Sequence, residues 1–255
     1  MKIYNAIIIV SLFVLSSCGT VKEVVTTTED VINQSKEQVY QSAIENAMSP
    51  APDKVYNNLI AINPQNENLT WQTIDGEEYV LMVSWKGNAS YYEPYVDSSV
   101  YNTGPYEIWV SASPELLTVF SQDEVLDTNL RIKQMLGLPP SSTYNYFVEF
   151  WVKPADLFRP CADNEITDQK CDLCFPTPTD STYINWINSN RVSRYYDCEL
   201  SNKYPWTQLG YTYDWNVKNL DHVGLSEFVI KPNANIIVEA VYPTAAYLQK
   251  SSVKD

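Results

Sequence analysis

Four cysteines that could form covalent cross-links lie close together in the middle of the chain, at Cys161, Cys171, Cys174 and Cys198. An even number of closely spaced cysteines is typical of disulfides in an oxidising compartment. Their spacing alone does not select the pairing. We predict two disulfides that hold the proline-rich, irregular segment 159–180, each contributing about 2–4 kcal/mol to stability.

Other chemistries also fit this region. Cys171 and Cys174 have the spacing of redox pairs, which lie at helix N-termini, but Pro176 and Pro178 interrupt a helix directly after them. Four thiolates could also hold zinc, although zinc ribbons usually contain two such pairs. The acidic stretch 163–172 lacks the glycine and glutamate positions of an EF-hand, so a looser calcium site is the alternative to a solvated loop. Disulfides are favoured, and we predict no metal and no cofactor.

Glu149 is the carboxylate whose surroundings best suit acid catalysis. Alternation along a predicted strand places it on one face with Phe147 and Trp151. Apolar neighbours raise the pKa of a carboxyl group, as a general acid requires. Glycoside hydrolysis needs a second carboxylate, and Glu227 and Asp214 are candidates. The alternative is a structural carboxylate paired with an arginine, for which the candidates are Arg131, Arg159, Arg191 and Arg194.

The chain is rich in aromatic residues, with 19 Tyr and 7 Trp. Alternation along a short predicted strand over 211–215 puts Tyr211, Tyr213 and Trp215 on one face, and Trp206 lies just upstream. Rigid, amphipathic side chains of this kind suit the binding of sugars and peptides. We therefore predict a binding face made of these four residues. A tyrosine-rich core with outward hydroxyl groups is the alternative.

The N-terminal segment has the organisation of a secretory signal. Lys2 supplies a positive start, and the mostly apolar stretch Ile3–Leu15 is too short to span a bilayer, which takes about 20 residues. It ends in the run Leu-Ser-Ser-Cys at Leu15–Cys18. This run resembles the lipobox of bacterial lipoproteins. The resemblance implies cleavage before Cys18, lipidation of its thiol and acylation (palmitate) of the new amine, which together hold a protein on a membrane.

The resemblance also implies a location. Residues 1–17 are then the signal peptide and residues 18–26 a tether. Gly19 follows Cys18. In this position the chain does not resemble the enterobacterial lipoproteins that are retained at the inner membrane, which have Asp there. The acidic run typical of surface-exported Bacteroidota lipoproteins is absent as well. We expect an outer-membrane lipoprotein that faces the periplasm and attaches to the membrane through lipidated Cys18.

Composition excludes several classes of function. The formal net charge of −14 and the 17 scattered Lys and Arg residues argue against nucleic acid as a partner. A single His excludes a multi-His metal site, and only 7 Gly disfavour glycine-rich phosphate loops. We therefore expect a non-enzymatic envelope module that binds a glycan, a peptide or an envelope protein. The alternative is a carboxylate-based hydrolase acting on envelope polysaccharide.

The elements that position these residues form an irregular series. Periodicity predicts an amphipathic helix over 27–49, ended by prolines. Residues 54–250 then form a single α+β domain, in which Asp75-Gly76 is a hairpin turn. Two strands, 223–230 and 236–242, are predicted to pair as a hairpin. Recurrent hairpins without regular strand–helix alternation predict a largely antiparallel sheet with packed helices and a disulfide-stapled irregular segment.

Overall fold

A computed structural model describes residues 28–96, 100–122 and 125–250, with side chains described from residue 35 onwards. The predicted signal peptide (1–17), the lipid attachment at Cys18 and the tether (18–26) lie outside these residues. Within the described ranges, none of the helices is both long enough and apolar enough to cross a membrane.

The described residues form helices and strands in an irregular order. The helices are α1 (Thr28–Ala47), α2 (Ser113–Ser121), α3 (Thr128–Met135), α4 (Ser181–Tyr195) and α5 (Thr244–Gln249). The strands are β1 (Trp71–Ile74), β2 (Glu77–Lys86), β3 (Val100–Asn102), β4 (Ile108–Ala112), β5 (Tyr146–Val152), β6 (Leu157–Phe158), β7 (Tyr211–Tyr213), β8 (Val223–Ser226), β9 (Phe228–Ile230) and β10 (Asn235–Pro243).

The main sheet is antiparallel throughout. Its strand order is β3-β10-β5-β2-β4-β9-β6, with β1 also paired to β2, and β7 and β8 form a separate pair. The β1–β2 turn has Asp75 and Gly76 at φ 52° and 82°, the positive values that a two-residue hairpin turn requires. The α+β class with a largely antiparallel sheet is therefore confirmed.

The predicted hairpin of 223–230 with 236–242 is wrong. The predicted strand 223–230 is interrupted at Glu227. As a result, β8 pairs with β7, whereas β9 pairs with β4 and β6. β10 pairs with β3 and β5 instead. The interruption places the carboxylate of Glu227 between the β7–β8 pair and the main sheet, whereas the sequence predicted one continuous strand over 223–230.

Apolar residues cover both faces of the main sheet. One face holds the largest cluster, which includes Val80, Met82 and Phe150. The other face contributes Trp85 and Phe147, and it is covered by residues of α2, α3 and α5. Because both faces are buried, the strands read as nearly continuous apolar runs, as the burial pattern of β5 shows.

Helix α1 packs against the rest of the chain through one side. Tyr40, Ala43, Ile44 and Ala47 are buried in a cluster that also contains Trp215. The Tyr40 ring meets the Trp215 ring edge-to-face, with centroids 5.7 Å apart. The helix predicted over 27–49 is thus present as Thr28–Ala47, and its apolar stripe lies on the body.

One of the two predicted disulfides is present. Cys161 bonds to Cys171, whereas Cys174 and Cys198 are exposed and not bonded. The prediction of two disulfides is therefore correct for one pair and wrong for the other. A four-thiolate zinc site and a Cys171–Cys174 redox pair do not form, since the disulfide occupies two of these sulfurs. Buried Arg159 holds the same loop through an ion pair with Asp168 at 2.7 Å, which supplies order that a second disulfide was expected to give.

Candidate functional site

The aromatic face predicted from sequence is not a surface. Tyr211, Tyr213, Trp215 and Trp206 are each at most 5% exposed. Trp215 Nε1 donates to the carbonyl of Leu138 at 3.1 Å, as expected of a buried indole. The predicted binding face is wrong because these side chains lie in the core. A tyrosine-rich core was the alternative, but its outward hydroxyl groups do not apply to Tyr211, which donates to the carbonyl of Lys54 at 2.8 Å. Only Trp206 and Tyr213 also line a cavity, which is described below.

Glu149 is held in a buried polar cluster. Ser113 Oγ donates to one of its carboxylate oxygens, and Lys250 Nζ lies 2.7 Å from the other. Tyr247 in turn shares a hydrogen bond with Ser113 at 2.9 Å. Glu149 does not line the cavity. The structural alternative for this residue is thus the better description, with a lysine in place of the expected arginine.

Asp214 also has a structural partner. Arg131 donates to both of its carboxylate oxygens, at 2.9 and 2.7 Å, in a buried bidentate pair. Asp214 does not line the cavity either. Of the three carboxylates considered for hydrolysis, only Glu227 does.

The cavity lies where two neighbouring strands separate. β2 and β4 pair only at Met82 with Ala112 and at Val83 with Ser111. Beyond this point the strands diverge, and Ser84 Oγ donates to the carbonyl of Trp109 at 2.8 Å. The side chain thereby satisfies a carbonyl that no longer has a ladder partner. The resulting cavity has a volume of about 340 Å³, at the lower end of the range for ligand pockets.

Aromatic and aliphatic side chains form most of the wall. Five of the lining residues are large aromatic side chains, namely Trp85, Trp109, Tyr144, Tyr204 and Trp206. The remaining apolar or aromatic lining residues are Val83, Val110, Leu116, Leu136, Leu138, Pro205 and Tyr213. A wall of this kind with a few converging polar groups is the usual composition of a small-molecule site.

Arg194 on α4 closes a column of stacked rings at the cavity. Tyr183 stacks on Trp186, and Trp186 stacks on Trp109, with centroids 5.7 and 6.0 Å apart. The guanidinium carbon of Arg194 lies 4.3 Å from the centroid of the Trp109 ring. This contact is a cation–π interaction. Arg194 Nε is buried and has no hydrogen-bond partner within the described residues.

Glu227 brings a carboxyl group to the same cavity. It follows β8 directly, and its backbone amide donates to the carbonyl of Gly210 at 2.9 Å. Oε2 is buried and accepts no hydrogen bond within the part of the chain that the structure describes. Burial raises the pKa of Glu227 to about 7, and the positive charge of Arg194 only partly opposes this rise. A buried acceptor without a partner is costly and is expected to meet water or a ligand.

Lys86 and Glu107 complete the polar lining. Burial lowers the pKa of Lys86 to about 8. Among the described residues no carboxylate pairs with this lysine. The carboxylate of Glu107 accepts a hydrogen bond from Trp186 Nε1, which fixes it beside the aromatic column. No group of three His, Cys, Asp or Glu in the described ranges could hold a metal ion.

Comparison with known proteins adds nothing to this geometry. The chain matches no family model, no curated protein and no solved structure. The site is therefore interpreted from its residues alone.

Sequence reasoning found part of this site. Glu227, Trp206 and Tyr213 were singled out from sequence, whereas Lys86 and Trp109 were missed. Arg194 was considered only as a partner for Glu149. One signal was available, because Glu227 is the one charged residue in the predicted strand 223–230, a position that alternation alone does not explain.

Proposed function

We propose that this protein is a binding module of the cell envelope that holds a small saccharide in the cavity between β2 and β4. The observation that carries the proposal is the presence of two buried polar atoms without partners in an aromatic cavity. Glu227 Oε2 and Arg194 Nε both lack hydrogen-bond partners within the described residues. One is an acceptor of hydrogen bonds and the other a donor.

A sugar offers a partner to both kinds of atom, because each hydroxyl group donates and accepts hydrogen bonds. Its apolar ring faces pack against aromatic side chains such as Trp206 and Tyr204. The cavity volume of about 340 Å³ favours a ligand of one or two rings over a long chain. These features support the binding of a glycan over that of a peptide or a protein surface.

Attachment to the outer membrane, with the module facing the periplasm, belongs to the same proposal and rests on Leu15–Cys18. In a bacterial host, Cys18→Ser should release the full chain from the membrane fraction, because a protein without its acyl chains loses its anchor. Wild-type protein recovered entirely in the soluble fraction would contradict the anchor.

A direct test measures glycan binding by calorimetry with purified protein. Glu227→Met removes the carboxyl group and keeps a side chain of similar length. We expect it to weaken binding about tenfold, since one hydrogen bond in a buried site contributes about 1–1.5 kcal/mol. Glu67→Met, at an exposed position, is the matched control and should bind as the wild type does.

The proposal fails under either of two results. One is that no mono- or disaccharide binds the wild-type protein. The other is that glycans bind but Glu227→Met retains full affinity, which would place the ligand elsewhere.

Hydrolysis is a second candidate function, favoured by one observation. Two carboxylates, Glu107 and Glu227, line the same cavity, and the raised pKa of Glu227 suits a general acid. Reducing-end release from each bound glycan distinguishes the two functions. A binding module gives no turnover, whereas a hydrolase gives turnover that Glu227→Gln abolishes while glycan binding persists.

A further inference from the structure

Two cationic side chains line the cavity without a carboxylate partner. The other buried guanidinium groups are both paired, Arg131 with Asp214 and Arg159 with Asp168, each at 2.7 Å. Arg194 and Lys86 form no ion pair within the described ranges, although the protein contains 31 acidic residues. The carboxyl groups of Glu227 and Glu107 act on Arg194 from beyond ion-pair distance, so an anionic ligand that contacts the two cations directly would supply the missing close countercharge.

The geometry of Arg194 favours a planar anion. Its guanidinium plane contacts Trp109 and also lies within 5.3 Å of the Tyr204 ring centroid. The rings hold the group in place, and its Nε–H has no hydrogen-bond partner within the described residues. A fixed guanidinium fork matches the two oxygens of a carboxylate.

Lys86 provides a second, point-like positive charge on β2. The lowering of its pKa to about 8 comes from burial alone, with no neighbouring carboxylate to oppose it. An anion in the cavity would restore the charged form. Lys86 and Arg194 stand on separate elements, and both line the cavity.

The acidic groups of the cavity limit the charge that the ligand can carry. Glu107 and Glu227 both line the cavity, and Glu227 gains a negative charge as the pH rises above about 7. A dianionic phosphate would meet more repulsion from these groups than a carboxylate, which carries one charge. A neutral Glu227 carboxyl group can also donate a hydrogen bond to a ligand oxygen.

We propose that the ligand of this cavity is a carboxylated sugar, whose carboxylate is bound by Arg194 and Lys86. This inference rests on the proposed glycan-binding function and names the class of glycan.

The experiment compares matched sugars by calorimetry on the purified protein. The probes are glucose with glucuronate, galactose with galacturonate, and glucose 6-phosphate as the phosphorylated counterpart. We expect each carboxylated sugar to bind at least tenfold more tightly than its neutral counterpart. Hydrogen bonds to charged groups are worth about 1.5–3 kcal/mol, which corresponds to roughly ten- to a hundredfold in affinity.

Variants assign the carboxylate to its partners. Lys86→Met should weaken glucuronate binding about tenfold or more and change glucose binding less than about threefold. Arg194→Gln should weaken glucuronate binding more than glucose binding, because it removes the positive charge as well as the Nε–H donor that any sugar can use. Arg191→Gln is the control, because Arg191 is exposed on the same helix. Lys86→Met, which retains most of the apolar side chain, keeps the test decisive if Arg194→Gln does not fold.

Each outcome separates this inference from the function on which it rests. Equal affinity for neutral and carboxylated sugars, or tighter binding of glucose 6-phosphate, overturns the inference and leaves glycan binding intact. Binding of acetate that depends on Arg194, with no binding of any sugar, overturns the saccharide function and with it the carboxylated sugar. Absence of binding by every probe overturns both.

Discussion

Glu227→Gln should make the protein more stable at pH 8 and leave its stability at pH 5 nearly unchanged. Burial raises the pKa of Glu227 from 4.5 to about 7 in the folded state. Between these values the folded protein holds a proton that the unfolded chain has lost. The stability of the wild type therefore falls as the pH rises from about 4.5 to about 7, and this loss is complete above pH 7.

The magnitude follows from the size of the shift. A shift of one pKa unit corresponds to about 1.4 kcal/mol, so the full shift amounts to about 3 kcal/mol. Glu227 is half-buried, and screening by solvent reduces this figure to about 2–3 kcal/mol. Glutamine resembles the protonated carboxyl group at every pH, so the variant avoids the loss. Glu115, whose pKa burial also raises to about 7, is unchanged in both proteins and cancels from the comparison.

Urea unfolding followed by tryptophan fluorescence at pH 5, 6, 7 and 8 measures the effect. The control is Glu67→Gln, whose side chain is exposed. If wild type and Glu227→Gln differ by the same amount within about 0.5 kcal/mol at all four pH values, Glu227 is hydrated or paired in the folded state. Glu227 would then not be an unpartnered acid of the cavity.

Three further results are expected. Trp215→Ala should cost about 3–5 kcal/mol in urea unfolding, as for other buried aromatics, and a loss below about 1 kcal/mol would contradict its place in the core. Asp214→Asn should cost a similar amount, about 3–5 kcal/mol, because it removes the charge that compensates buried Arg131; an unchanged unfolding midpoint would contradict that pairing. Thiol labelling of native protein, mapped by peptide mass, should modify Cys174 and Cys198, and protection of both would indicate the second disulfide after all.

The cost of an ionised Glu227 bears on the function. An apolar side chain at this position would avoid the loss of about 2–3 kcal/mol at neutral pH. Retention of an acidic residue at such a cost is typical of functional sites, where stability is exchanged for binding or catalysis. Glu149 differs from Glu227 in this respect, because both oxygens of the Glu149 carboxylate have hydrogen-bond donors.

Local signals in the sequence predicted much of the fold. The Asp75-Gly76 turn and the helix that begins after Asp180 follow from residue preferences that act within a few positions. Ser113 precedes a proline, the arrangement of an N-cap residue, yet Ala112 occupies the cap position and the Ser113 hydroxyl group donates to Glu149. A tertiary contact therefore outweighed a local preference at this helix start.

The site was harder to predict because it depends on contacts distant in sequence. Alternation predicted that Tyr213 and Trp215 share one face of a strand. The strand ends at Tyr213, and nothing local to either residue indicates that both pack in one cluster with residues of α1. Likewise, nothing local to Lys86 indicates that β2 and β4 separate beside it. The gap exists because β4 follows β9 away from β2, an arrangement set by pairing partners more than a hundred residues apart in the chain.

The short junction between β2 and β4 has a mechanical consequence. Two residue pairs join β2, β5, β10 and β3 on one side to β4, β9 and β6 on the other. The junction divides only the backbone ladder into two units, because side chains on both sides of it share one buried cluster. The amides of β9 should therefore exchange with deuterium at a different rate from those of β5. A ligand seated in the gap touches both units. Its binding would hold the two units together and slow the hydrogen exchange of the amides in both units at once.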